Sequence, residues 1–181
     1  MLKPRQIGAL AIAVSVGYFA SDVIESAQGG FSTGQLVLTL VCEALIPFVV
    51  LGIYATQAPA IGRLGRISAF AYAAAYVVFA GTVVYALVKD TPDYDGLTDA
   101  LGLWMTIPGI VMILSGIGFG IAVVRDGALP AWTGYALAAG VVLVAATQSA
   151  PDAPALIAAG VRDAAWAGMG FALFAGSTAA R

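Results

Sequence analysis

Apolar residues fill this chain in six long stretches with short polar breaks between them: Ile7–Ser26, Gln35–Thr56, Ile67–Val88, Leu97–Val124, Trp132–Gln148 and Ala155–Ser177. A helix crosses the hydrocarbon core of a bilayer with about 20 mainly apolar residues. Trp132–Gln148 is at the short limit, and Leu97–Val124 is overlong, which predicts that it tilts or projects from the membrane. No hydrophilic stretch is long enough for a soluble domain. The pattern therefore predicts one domain over residues 1–181, an all-α polytopic bundle of six transmembrane helices. The first stretch follows Lys3 and Arg5 in the manner of a signal peptide. No small-x-small cleavage site follows it, and further spans do, so it is read as a retained helix.

Polar residues inside the stretches are few, which makes each one informative. Gln35, Thr39 and Glu43 recur at i, i+4 and i+8 and form one polar stripe on an otherwise apolar helix. Glu43 lies roughly 12 Å along that helix from its first residue, at 1.5 Å per residue. A carboxylate at such depth is costly and by default faces the bundle interior. Pro47, one turn further on, removes a backbone hydrogen bond and favours a kink.

Composition agrees with the pattern. Hydrophobic residues make up 61% of the chain and charged residues 10%, with mean hydropathy +0.95; a soluble domain carries about a quarter charged residues. The net charge of −2 and the lack of a basic tract give no sign of a nucleic-acid partner. A single cysteine, Cys42, rules out an intramolecular disulfide. The absence of histidine removes His-ligated haem, the common zinc sites and His-activated nucleophiles. Lys89 sits at a helix end, so a mid-membrane Schiff-base lysine is not expected. No cofactor or metal is implied.

The basic residues orient the chain. If six helices alternate, Lys3, Arg5, Arg63, Arg66, Arg125 and Arg181 share one side, and only Lys89 and Arg162 fall on or toward the other. The positive-inside rule then predicts a multi-pass protein of the cell membrane with both termini cytoplasmic. Asp22, Glu25, Asp90, Asp93, Asp95, Asp99, Asp152 and Asp163 lie at or toward the outer face and Asp126 inside. The polar chemistry is thus expected in the outer half.

Glu43-Ala-Leu-Ile-Pro47 resembles Trp104-Met-Thr-Ile-Pro108, and each helix leads into a basic loop, which suggests three helical hairpins in series. The plainer reading is that Ile-Pro recurs by chance in Ala/Ile-rich helices. In the second of those loops, Arg125 is followed by Gly127-x-Leu129-Pro130-x-Trp132-x-Gly134. This segment resembles a family of uncharacterised six-helix membrane proteins common in actinobacteria, over about Gly116 to Gly140. The resemblance implies a six-helix fold and bacterial origin and carries no assigned activity. The motif also has a plain structural meaning: Gly127 ends one helix, Pro130 opens the next and Trp132 anchors at the interface.

Candidate chemistry gathers on three helices. Tyr18, Asp22 and Glu25 share a face of the first at i, i+4 and i+7, Glu43 lies on the second, and Arg162 with Asp163 on the last. Arg162 is the one cation placed to meet Glu43 or Asp22, and an Arg–carboxylate fork is the least costly way to keep charge in low dielectric. An acid left without a cation there is the one held neutral, and a neutral carboxylic acid in an apolar pocket is a general acid. Glu43, Asp163 and Asp22 are accordingly the candidate catalytic residues. Arg162, Tyr18, Tyr76, Trp104 and Trp166 are the candidate substrate-binding ones, the rings being able to stabilise a cation. The plainer alternative is a structural clasp of Arg162, Asp163 and Glu43, with the rings as ordinary core or lipid-facing bulk. Asp93, Asp95 and Asp99 read as a solvated turn and match no calcium-loop spacing. Gly116-xxx-Gly120 and the run Gly160, Ala164, Gly168, Ala172 predict close helix contacts.

Three functions stay open. The first is a membrane-embedded enzyme using acid–base chemistry on a lipid-like, isoprenoid-type substrate, as a cyclase or isomerase. The second is a small proton- or cation-coupled carrier, which would need a homo-oligomer to supply an inverted repeat. The third is a non-catalytic accessory subunit. Membrane lipids and a hydrophobic small molecule are the expected partners. A closed aromatic pocket at Glu43 favours the enzyme, a continuous path the carrier, and a filled, fully paired core the subunit.

Overall fold

The computed structural model describes residues 2–58, 60–148 and 152–176. Ser177 and Arg181, named above, lie outside these residues, as does the side chain of Asp152. Among the described residues the chain forms seven helices: α1 (Pro4–Gln28), α2 (Thr33–Gln57), α3 (Gly62–Lys89), α4 (Tyr94–Leu101), α5 (Leu103–Asp126), α6 (Ala131–Ala146) and α7 (Asp152–Ala175). Five of them, α1, α2, α3, α5 and α7, are long and apolar enough to cross a membrane, while α6 is apolar but shorter.

Local chemistry sets the ends. Pro4 opens α1, where its missing N–H costs nothing. Gly29, left-handed at φ 69°, closes it, with Gly30 N–H returning to the Glu25 carbonyl at 3.2 Å. Ser32 caps α2 by accepting from Gln35 N–H. Pro47 stands inside α2. Because it lacks an N–H, the carbonyl left without its helical donor is that of Glu43, four residues earlier.

The overlong fourth stretch is the main departure from the sequence reading. It neither tilts nor projects as one rod, because Gly102 breaks it at φ 50°, ψ −112°, into α4 and α5. That backbone geometry is accessible to glycine and strained for other residues. Asp93 begins α4 by accepting from Gly96 N–H at 2.8 Å, so this acid is a helix cap. Leu97 on α4 is buried in a small cluster with Leu36, Val83 and Met105.

The six longer helices close a ring in chain order: α1 packs on α2, α2 on α3, α3 on α5, α5 on α6, α6 on α7, and α7 back on α1. Small residues permit the close approaches. A Cβ at Gly8 on α1 would lie 2.7 Å from the Phe174 nitrogen of α7, and one at Gly140 on α6 would lie 2.6 Å from the Arg162 nitrogen. The expectation of tight packing at Gly120 holds, since a Cβ there would overlap the Gly134 carbonyl across the α5–α6 contact. Arg5 near the start of α1 donates to the Phe174 carbonyl at 3.1 Å, so the start of α1 and the end of α7 share one end of the bundle. That end is filled by Ile7, Ile53, Phe119, Val123, Met169 and Leu173. The opposite end, which carries α4, is not.

Candidate functional site

A cavity of about 650 Å³ occupies the α4 end of the ring and takes lining residues from all seven helices. Its walls differ in character. On one side Tyr18, Asp22 and Glu25 of α1 and Gln35, Thr39 and Glu43 of α2 form a polar wall that runs from mouth to floor, with Arg162 of α7 beside it. On the other, Phe79 and Val83 of α3, Met105 and Ile113 of α5, and Val144 of α6 are apolar. The two periodic patterns seen in the sequence, 18/22/25 and 35/39/43, therefore face each other across the α1–α2 contact and into one space.

Glu43 stands toward the floor and is 4% exposed. Its Oε1 accepts the Tyr18 hydroxyl at 2.9 Å. Its Oε2 is buried and has no hydrogen-bond partner among the described residues. Such a group is costly unless something satisfies it, at about 1–3 kcal/mol or more for a charged one. Toward the mouth, Gln35 is 3% exposed, and its amide nitrogen faces Ser21 Oγ at 3.1 Å, Glu25 Oε2 at 3.1 Å and Thr39 Oγ1 at 3.0 Å. An ionised carboxylate only accepts, so Glu25 fixes which end of the amide points at it. The Gln35 Oε1 is left buried and without a partner among the described residues.

Arg162 is 5% and Asp163 is 6% exposed, and they form a two-pronged fork: Nε to Oδ1 at 2.9 Å and Nη2 to Oδ2 at 3.2 Å. Across the helix contact, Nη2 lies 3.5 Å from Asp22 Oδ2. The guanidinium also stands over the Tyr18 ring, 4.8 Å from its centre. The acid that Arg162 meets on another helix is Asp22. The expected clasp with Glu43 is indirect, because Tyr18 stands between them with its ring toward Arg162 and its hydroxyl on Glu43. Gly140 allows this placement, since a side chain there would push the α7 backbone away at Arg162.

The aromatic set is smaller at the cavity than the sequence suggested. Tyr18 and Tyr76 line it with their rings edge to face, 6.2 Å apart, and Tyr76 meets Phe79 in the same manner at 5.8 Å. Trp104 is 71% exposed on the outside of α5 and does not line the cavity. Trp166 lies deeper, stacked on Phe119 and donating to the Tyr72 hydroxyl at 3.4 Å. Asp163 is likewise absent from the lining and serves Arg162. Ser21, fully buried in the Gln35–Thr39 network, was not singled out in the sequence; the polar run Ser21, Asp22, Glu25 at the end of a membrane helix was its only signal. Among the described residues no group of three or more potential metal ligands converges.

No protein-family model, curated protein or solved structure matches this chain.

What that geometry offers is specific. It has a buried carboxyl with one oxygen held and one left without a partner among the described residues, a hydrogen-bonded polar wall leading to it, and an apolar wall opposite.

Proposed function

We propose that this is a membrane-embedded enzyme whose cavity admits a lipid-like small molecule from the outer face and that Glu43 exchanges a proton with it. In this reading α1, α2, α3, α5, α6 and α7 make six crossings, as three hairpins with both termini cytoplasmic. The observation that carries it is the position of Glu43: buried at the inner end of a cavity of about 650 Å³, with Oε2 unpartnered. That volume lies in the range of small-molecule sites, about 300–1,000 Å³. A carboxyl serving only as a helix clasp has both oxygens engaged, as Asp163 does. Asp22 and Asp163 then hold Arg162, and Arg162 with Tyr18 positions Glu43.

The accessory-subunit reading is disfavoured by the cavity, since helix clasps do not need one. The carrier reading has one observation in its favour, the polar wall from Glu25 through Gln35 and Thr39 to Glu43. Against it, the packed layer of Val50, Ile53, Phe119 and Met169 closes the other end, so the cavity is a blind pocket.

The test begins with wild type and Ala159→Trp, a cavity-filling change at a lining residue, each taken from native membranes into nanodiscs. Mass spectrometry is expected to find a small molecule retained by the wild type and lost from the variant. That molecule should be converted by the wild type and not by Glu43→Gln. Retention equal in both proteins overturns the cavity as the site. A molecule that crosses proteoliposome membranes unchanged assigns the carrier reading instead.

A further inference from the structure

The geometry points to an amphiphilic organic cation as the molecule this cavity takes, with its protonated amine or equivalent cationic head on Glu43 Oε2. This rests on the cavity being a ligand site and goes further by naming the ligand's charge and shape. The first argument is the pair of orphaned acceptors. Glu43 Oε2 and Gln35 Oε1 both belong to lining residues at least 96% buried, and neither has a donor among the described residues. A ligand that supplies hydrogen-bond donors satisfies them, whereas a hydrocarbon or a carboxylate does not. The two residues stand two helical turns apart, roughly 12 Å along α2. One head group therefore reaches only one of them, and Gln35 would take a second donor on the ligand or one arriving at the mouth.

The second argument is charge. Asp22, Glu25 and Glu43 line the cavity, and Asp93 and Asp95 stand at its mouth. Arg162 is the one basic residue among the described lining, and the Asp163 fork already engages it. A cleft of one sign with low-dielectric walls concentrates ligands of the opposite sign. An anion would meet these acids with no free cation to receive it.

The third argument is what kind of cation fits. No set of three or more potential metal ligands converges among the described residues, which disfavours a bare metal ion. Tyr18, Tyr76 and Phe79 line the same cavity as Glu43, and aromatic rings attract an organic ammonium. The apolar wall of Val83, Ile113 and Val144 then takes the hydrocarbon part.

Three probes with one ten-carbon chain and different heads test this: decylamine, protonated at pH 7 like a lysine amine, decanol and decanoate. Each is titrated against the protein in nanodiscs, with apparent affinity read from the rise of Tm with probe concentration. Wild type is compared with Glu43→Gln, so that partition into lipid is common to both. Decylammonium should stabilise the wild type saturably. Its affinity should fall about 30-fold or more in Glu43→Gln, the loss typical when a buried charge pair loses one member. Decanol, whose hydroxyl can bond a glutamine as well as a glutamate, should bind both proteins alike, and decanoate should bind the wild type no better than Glu43→Gln. If Glu43→Gln does not fold, Glu43→Asp carries the test, because it keeps the charge and withdraws it by one methylene. It should weaken decylammonium alone. Equal binding of decanol and decylammonium, abolished by Ala159→Trp, overturns the cation and leaves a neutral lipid site. Indifference of every probe to Ala159→Trp overturns the ligand site itself.

Discussion

Tyr18 donates its hydroxyl to Glu43 Oε1 at 2.9 Å, and the ring of the same residue lies 4.8 Å under the Arg162 guanidinium. One side chain thus connects the buried acid of α2 with the buried cation of α7. It also keeps them from neutralising each other directly. Tyr18→Phe preserves the ring and removes the donor. A hydrogen bond to a charged group contributes about 1.5–3 kcal/mol, so the variant should lose stability of that order in unfolding experiments. Tyr18→Leu, which also removes the ring from Arg162, should lose more. Wild-type stability in Tyr18→Phe would mean that Glu43 is not held by Tyr18.

Arg162 and Asp163 should depend on each other. Removing one member of a buried ion pair typically costs about 3–5 kcal/mol, so Arg162→Ala should destabilise sharply by stranding Asp163. The double change Arg162→Met with Asp163→Leu should recover much of that loss. Asp22→Asn should cost far less, because Asp22 is the more exposed and more distant partner. A neutral Arg162→Ala would remove the fork from any account of stability.

Close helix approach at Gly140 should be essential to that geometry. A Cβ there falls 2.7 Å from the Arg162 Cα, so Gly140→Ala must part α6 from α7. Overpacking of this kind costs about 1–3 kcal/mol. Gly81→Ala is the control, since nothing lies within 4 Å of its added Cβ. Helix propensity there predicts no loss, and a gain of up to about 1 kcal/mol. Thermal unfolding of the two variants side by side separates packing from propensity.

The proposed orientation, with both termini cytoplasmic, rests on the basic residues and is tested by labelling. In a Cys42→Ala background, single cysteines at Arg63 or Arg125 should react only from the cytoplasm, and cysteines at Asp93 or Asp95 from outside intact cells. The reverse pattern would turn the cavity mouth to the cytoplasm.

The amino-acid sequence by itself determined the membrane class, the all-α architecture and the approximate limits of most helices. Apolar length and the need to satisfy every backbone group inside the helix leave little choice. It also determined the two polar stripes, because residues 35, 39, 43 and 18, 22, 25 share faces by helical period alone. Gly102 was the one break missed within an apolar run, since hydropathy averages over a single glycine. For the helices that carry no such stripe, only the tertiary structure decided which face turns inward. In a soluble protein hydropathy separates inside from outside. In lipid both surroundings are apolar, so nothing in composition distinguished exposed Trp104 from buried Trp166. The choice of Asp22 over Glu43 as the cross-helix neighbour of Arg162 belongs to the same level. It depends on the rotation of α1, α2 and α7 about their axes, which is set by close contacts such as Gly140 on Arg162 and Gly8 on Phe174.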